Sequence, residues 1–239
     1  MSVSPEFHHH ALISSLVYHD LDADVEAKLI EMGYVGVKFI DILGAQCYIL
    51  DNDERILVAF RGTEPTEVSD ILADLELIRE DGVHRGFLEE YQKIEREVNA
   101  AVSALQEKKE RPVYITGHSL GGAIACIYAL HHQDSVALYT YGCPRNMSWS
   151  KSKELSVPHY RCVNNNDIVP KVPPVLLGFK HTGQLKYINF YGNIRRMSSW
   201  QRFKDGWRGR FAAWKKKEVF DGVRDHGMDR YCKYLRDND

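Results

Sequence analysis

Val113-Tyr114-Ile115-Thr116-Gly117-His118-Ser119-Leu120-Gly121-Gly122-Ala123-Ile124 runs from an apolar, β-branched segment through a glycine-flanked serine into small apolar residues. The first part reads as a strand, and Ala123 to Leu130, apolar on nearly every face, as a buried helix. Gly117-His118-Ser119-Leu120-Gly121 is thus a GxSxG at a strand-to-helix turn, the context in which the motif carries chemistry. Such a turn drives the serine side chain out of the sheet. The flanking glycines let neighbouring backbones approach, and the helix N-terminus leaves N–H groups free near the serine. Ser119 is therefore the candidate nucleophile, and the adjoining N–H groups are candidate oxyanion donors.

Outward from this segment, strands and helices alternate. Val136 to Tyr141, His159 to Val163 and Leu185 to Phe190 read as strands. Gln46 to Leu50 and Arg55 to Phe60 form a hairpin across Asp51, Asn52 and Asp53. Gly86 to Lys109 is a long amphipathic helix with Phe87, Tyr91, Ile94, Val98, Ala101, Val102 and Leu105 at steps of three or four. Ala11 to Tyr18, Asp24 to Met32 (capped by Asp24), Val68 to Leu77 and Met228 to Leu235 read as further helices. The pattern predicts an α/β fold with a mainly parallel central sheet covered by helices on both faces. No repeat or linker divides the 239 residues, so one domain spanning 1–239 is expected.

A serine hydroxyl needs a base, and the base an orienting acid. On this architecture the order is Ser, Asp, His. Asp134, Asp167, Asp205, Asp221, Asp225 and Asp229 follow Ser119. Asp167 is best placed, in the loop that leaves the strand His159 to Val163 and ahead of Ile168-Val169-Pro170. His131, His132 and His159 precede Asp167 and fall out on order. His181 and His226 remain, both in loop-like contexts, and position separates them only mildly in favour of His226.

Several segments together resemble the class 3 (fungal-type triacylglycerol) lipases of the α/β-hydrolase fold. They are Phe60-Arg61-Gly62-Thr63, Asp70 and Asp74, Val83-His84-Arg85-Gly86-Phe87, Thr116 to Ala123, Asp167 with Val169-Pro170 and Val172-Pro173, and Asp225-His226 with Tyr231. The resemblance implies Ser119 as nucleophile, Asp167 as acid and His226 as base. It puts Thr63 at the oxyanion hole, where its N–H and hydroxyl would join the Leu120 N–H. It also makes Glu64 to about Leu77 a movable lid. The implied activity is hydrolysis of lipid acyl esters through an acyl-enzyme. A phospholipase A, a small-ester carboxylesterase and a non-catalytic membrane-associated binding protein are the alternatives. No cofactor or metal is expected. Arg61 is expected to anchor its loop, and His84 and Arg85 to be structural.

Residues 194–217 stand out by charge. They carry nine basic residues against Asp205 alone, net +8, which leaves −10 for the rest of a chain whose total is −2. Trp200, Phe203, Trp207, Phe211 and Trp214 are spaced 3, 4, 4 and 3, within an arc of about 80° on a helix. Two readings stand: an aromatic face packed on the core, or one that meets an anionic membrane. Gly206 and Gly209 weaken such a helix by about 1 kcal/mol each relative to Ala. The overall balance disfavours a nucleic-acid partner. Five scattered cysteines without a CxxC, and an N-terminus without a charged, apolar leader, point to a cytoplasmic protein, with peripheral membrane contact left open. His8, His9 and His10 are expected as an exposed polar patch.

Overall fold

The computed structural model describes residues 5–63, 78–215 and 221–238. The expected lid, the helix over Val68 to Leu77, Asp70 and Asp74 lie outside the described residues.

Helices α1 (Pro5–Leu16) and α2 (Ala23–Glu31) lead into an antiparallel meander of β1 (Gly36–Ile42), β2 (Ala45–Asp51) and β3 (Ile56–Phe60). Two short strands, β4 (Arg79–Glu80) and β5 (Val83–His84), precede the long helix α3 (Arg85–Lys108). Then come β6 (Val113–His118), α4 (Leu120–His131), β7 (Ala137–Tyr141), β8 (Met147–Ser148), β9 (His159–Asn164), β10 (Phe179–Lys180), β11 (Gln184–Ile188) and β12 (Ile194–Arg195). Helices α5 (Ser199–Lys215), α6 (Asp221–Arg224) and α7 (Met228–Arg236) complete the described chain.

The main sheet has eight strands in the order β1-β2-β3-β6-β7-β9-β11-β12. Its centre, β3-β6-β7-β9-β11, is parallel throughout, and the strands outside it are antiparallel. This is the α/β-hydrolase architecture expected from the sequence. Central strands are apolar at successive positions because both faces are covered. On β3, Ile56, Val58 and Phe60 pack with residues of α3 and α4, whereas Leu57 and Ala59 pack under α1 and α2. Phe7 and Ala11 of α1 meet Met228, Tyr231 and Leu235 of α7 over Tyr139, Tyr141 and Cys162.

Three local expectations need correction. The cap of α2 is Asp22, whose side chain accepts from the Val25 N–H at 2.9 Å; Asp24 lies inside the first turn. Helix α1 begins at Pro5, not near Ala11, and takes in all three N-terminal histidines. They are not an exposed patch. His10 is fully buried, stacks on Tyr139 with ring centroids 4.1 Å apart, and donates from Nδ1 to the Glu6 carbonyl at 2.6 Å. Burial pushes its pKa down to about 4. The neighbouring His9 bonds through Nε2 with the Tyr34 hydroxyl at 2.9 Å. Reading histidine as a surface residue hid the core face of α1.

Candidate active site

Ser119 stands between β6 and α4 with φ 55° and ψ −127°, a left-handed conformation that is costly for a residue with a Cβ. The turn is held open by close packing. A Cβ on Gly121 would lie 2.2 Å from the carbonyl oxygen of Phe60, so only glycine lets α4 start this near the end of β3. The Ser119 N–H donates to Tyr141 O at 3.0 Å, tying the turn to β7.

The loop after β9 delivers Asp167 and the turn before α7 delivers His226, both buried. The Ser119 hydroxyl donates to His226 Nε2 at 2.8 Å, and His226 Nδ1–H donates to Asp167, with both carboxylate oxygens at 3.0 Å. The carboxylate fixes the proton on Nδ1 and leaves Nε2 as the acceptor that a serine hydroxyl requires. Gly142, with φ +56°, passes directly beneath this pair: a Cβ there would come within 2.7 Å of the His226 ring and 2.8 Å of Asp167 Oδ2.

Asp167 is itself held. The Tyr231 hydroxyl donates to its Oδ2 at 2.6 Å, and the Val169 N–H donates to its Oδ1 at 3.0 Å. Burial, and then the adjacent carboxylate, push the Tyr231 pKa well above its ordinary value, so the phenol keeps its proton and remains a donor. Its oxygen also accepts from the Asn164 N–H at 3.0 Å.

His118 acts on the opposite side of His226. The His226 carbonyl is only an acceptor, so His118 Nε2–H donates to it at 2.8 Å, and Nδ1 accepts from the Tyr18 hydroxyl at 2.7 Å. Burial, reinforced by His226, drives the His118 pKa well down, which keeps the ring in this neutral form. The rings of His118 and His226 lie 4.3 Å apart. In the sequence His118 is simply a variable position of GxSxG. Only the fold brings it against the His226 backbone.

Thr63 and Leu120 line one cavity of about 240 Å³ together with Gly62, Arg61 and Glu90. The Leu120 N–H lies in the first turn of α4, where the helix offers it no acceptor. Arg61 secures the Thr63 loop, as expected, by donating to Gln46 Oε1 at 2.6 Å. His84 is buried and stacks on Phe87 at 4.2 Å, a structural placement. His181 lies elsewhere, donating from Nε2 to Pro170 O at 2.8 Å.

Helix α5 covers residues 199–215, and its side chains are described through Arg210; those of Phe211 and Trp214 lie outside the described residues. Its aromatic face is turned to solvent: Trp200 is 62% exposed, Phe203 54% and Trp207 56%. The opposite face docks. Asp205 is buried and accepts from the Tyr187 hydroxyl at 3.1 Å and the Phe190 N–H at 2.9 Å. A Cβ on Gly209 would sit 2.2 Å from Asn166 Nδ2. Gly206 and Gly209 are thus the packing surface of the helix rather than weak points in it.

A family model for "Lipase (class 3)" matches residues 57–177. The chain is similar to a lipase of Rhizomucor miehei, at 33% identity over 58% of this chain and 43% of that protein. It is also similar to a secreted mono- and diacylglycerol lipase of Fusarium solani, at 31% identity over 67% and 51% of the two chains. It therefore spans about half the length of these curated relatives. Among solved structures, a Rhizomucor miehei triacylglyceride lipase superposes with a TM-score of 0.67 at 25% identity, covering 79% of this chain and 82% of that one.

Proposed function

The chain belongs to the class 3 lipase family, and from that membership we propose that it is a serine hydrolase of carboxylic esters that cleaves acyl esters of lipids. The observation that carries this reading is the continuous hydrogen-bonded line Asp167–His226–Ser119, at 3.0 and 2.8 Å. His226 takes the Ser119 proton as Oγ attacks the ester carbonyl, and the Asp167 carboxylate stabilises the imidazolium that forms. The N–H groups of Leu120 and Thr63, with the Thr63 hydroxyl, receive the developing oxyanion; one such donor contributes about 2.7–4 kcal/mol in comparable enzymes. The imidazolium then protonates the leaving alcohol, and water activated by His226 releases the acid.

The exposed Trp200, Phe203 and Trp207 support a second element of the proposal, docking of α5 on an anionic membrane. Lys204, Arg208 and Arg210 are on the same helix. The Lys204 Nζ lies 5.1 Å from the centre of the Trp200 ring and the Arg210 guanidinium 5.9 Å from that of Trp207. An aromatic face flanked by cations is what an interfacial helix presents to anionic lipid. The four buried free thiols Cys47, Cys126, Cys143 and Cys162 support a cytoplasmic setting for that contact.

A fluorophosphonate probe tests the enzyme reading. Labelling at Ser119, lost in Ser119→Ala, supports it; an unlabelled native protein points to a binding role instead. A panel of triacylglycerol, phospholipid and short-chain ester then assigns the lipid class.

A further inference from the structure

A cavity of about 510 Å³ opens between the β9–β11 end of the sheet and helix α5. Arg145, Arg161, Lys171, Arg202 and Arg210 line it, and no carboxylate does so among the described residues. Neither Ser119, His226, Thr63 nor Leu120 borders it, so it lies apart from the candidate reaction centre.

Arginines with no carboxylate beside them among the described residues are unusual within this molecule. Elsewhere partly buried arginines are paired: Arg111 with Asp51 at 2.8 Å, Arg55 with Glu6 at 2.9 Å, Arg230 with Asp225 at 2.6 Å. In the cavity, among the described residues, Arg145, Arg161 and Arg202 reach uncharged acceptors. Arg145 donates to Pro173 O at 2.9 Å, Arg161 Nε to Thr182 O at 3.4 Å, and Arg202 Nη1 to Met197 O at 2.7 Å. None of these three has a carboxylate partner among the described residues. Burial lowers the Arg161 pKa to about 10, and Arg145 and Arg202 push it the same way.

Converging guanidinium groups without a carboxylate partner in a half-enclosed space are costly unless an anion joins them. Their planar forks match phosphate oxygens, and several fixed positive charges suit a dianion better than a single carboxylate. Phe203 and Trp207, part of the exposed aromatic face, also border the cavity. An anion carried on a lipid would therefore meet both surfaces together.

We propose that this cavity is a binding site for a phosphate monoester, gripped by Arg145, Arg161 and Arg202. The site is independent of ester hydrolysis. Only its lipid-borne form rests on the docking of α5 proposed above.

The test uses the full chain and reads binding, not turnover. Thermal-shift titrations with inorganic phosphate and glycerol 3-phosphate, at constant ionic strength, probe the soluble source. Sedimentation with phosphatidylcholine vesicles carrying either phosphatidic acid or phosphatidylglycerol, at matched surface charge, probes the lipid source. We expect saturable binding in at least one arm, with phosphatidic acid preferred over phosphatidylglycerol if the source is a lipid. Arg161→Gln and Arg202→Gln each weaken that binding by about tenfold or more, the loss expected for a hydrogen bond between charged groups. Arg202 is on the half-exposed helix face, so Arg202→Gln serves if Arg161→Gln does not fold, as judged by circular dichroism. No phosphate-induced shift together with equal binding to both vesicle types overturns the site while leaving non-specific docking of α5 intact. Unchanged affinity in the folded variants overturns it as well.

Discussion

His118 Nε2 donates to the main-chain oxygen of His226 at 2.8 Å, so the residue just before the candidate nucleophile holds the backbone of the candidate base. This bond joins the end of β6 to the turn ahead of α7 across 108 residues of sequence. His118 touches no reacting atom; it positions the group that does. His118→Phe is expected to lower kcat on a soluble ester by about 10–100-fold with KM nearly unchanged, because small misplacements of a base cost that much. A KM rise at constant kcat would instead mark a substrate contact.

Tyr231→Phe removes the donor to Asp167 Oδ2 and the acceptor of the Asn164 N–H, while leaving the ring to fill its place in the core. Hydrogen bonds to charged groups are worth about 1.5–3 kcal/mol, so kcat should fall by about tenfold or more and Tm should drop. Steady-state kinetics and calorimetry on the same preparation check both. Tyr231 stood in the sequence only as part of a resemblance; its role depends on α7 folding back beneath the Asp167 loop.

Gly142→Ala places a methyl group against both the His226 ring and Asp167 at a backbone angle that disfavours any Cβ. Activity on a soluble ester should fall about 10²-fold or more even where circular dichroism shows a native fold. A variant as active as the native chain would mean that His226 has freedom the packing does not suggest.

Acid should destabilise the protein from near neutrality. His10, with a pKa of about 4 against 6.5 for a free histidine, binds fewer protons folded than unfolded between those values. Stability from the neutral ring is therefore fully present above pH 6.5 and is lost as pH falls towards 4. At 1.36 kcal/mol per unit this approaches about 3 kcal/mol for His10 alone. Burial depresses His159 to about 3, and it adds in the same direction. Tm measured from pH 7.5 to 4.5 should fall steeply below 6.5, and His10→Phe should flatten that slope.

Trp207→Ala should leave Tm almost unchanged, because the side chain is mostly in solvent. A core tryptophan would cost about 3–5 kcal/mol. The same variant should bind anionic vesicles more weakly, with the remaining binding sensitive to salt. Unaltered vesicle binding would remove the aromatic face from the account of docking.

Much of the architecture was legible because local signals agreed. The Val113 to Ile124 segment combines a β-branched strand, a glycine-bracketed serine and a helix of small residues, and each part demands the next. The long amphipathic α3 was read nearly to its ends for the same reason. Strands β4, β5, β8, β10 and β12 have two residues each, too few to show any period, and none was foreseen. Position along the chain only mildly separates His181 from His226, both loop histidines after Asp167; the family resemblance favours His226, and the fold sets its ring between Asp167 and Ser119. The helical wheel of α5 puts Trp200, Phe203 and Trp207 on one face, as the structure does, but does not tell which face is covered. That depended on Gly206 and Gly209 meeting Asn165 and Asn166, a close approach that composition reads only as lost helix propensity.

Ser119, activated by His226 and Asp167, is proposed above as the nucleophile of an ester hydrolase. The most direct measurement is the initial rate of p-nitrophenyl butyrate hydrolysis by the native chain and by Ser119→Ala, with the fold of each checked by circular dichroism. A nucleophile of this kind predicts a loss on the order of 10⁴–10⁶ in kcat in a variant that remains folded. Hydrolysis by folded Ser119→Ala within tenfold of the native rate would mean that Ser119 is not the nucleophile.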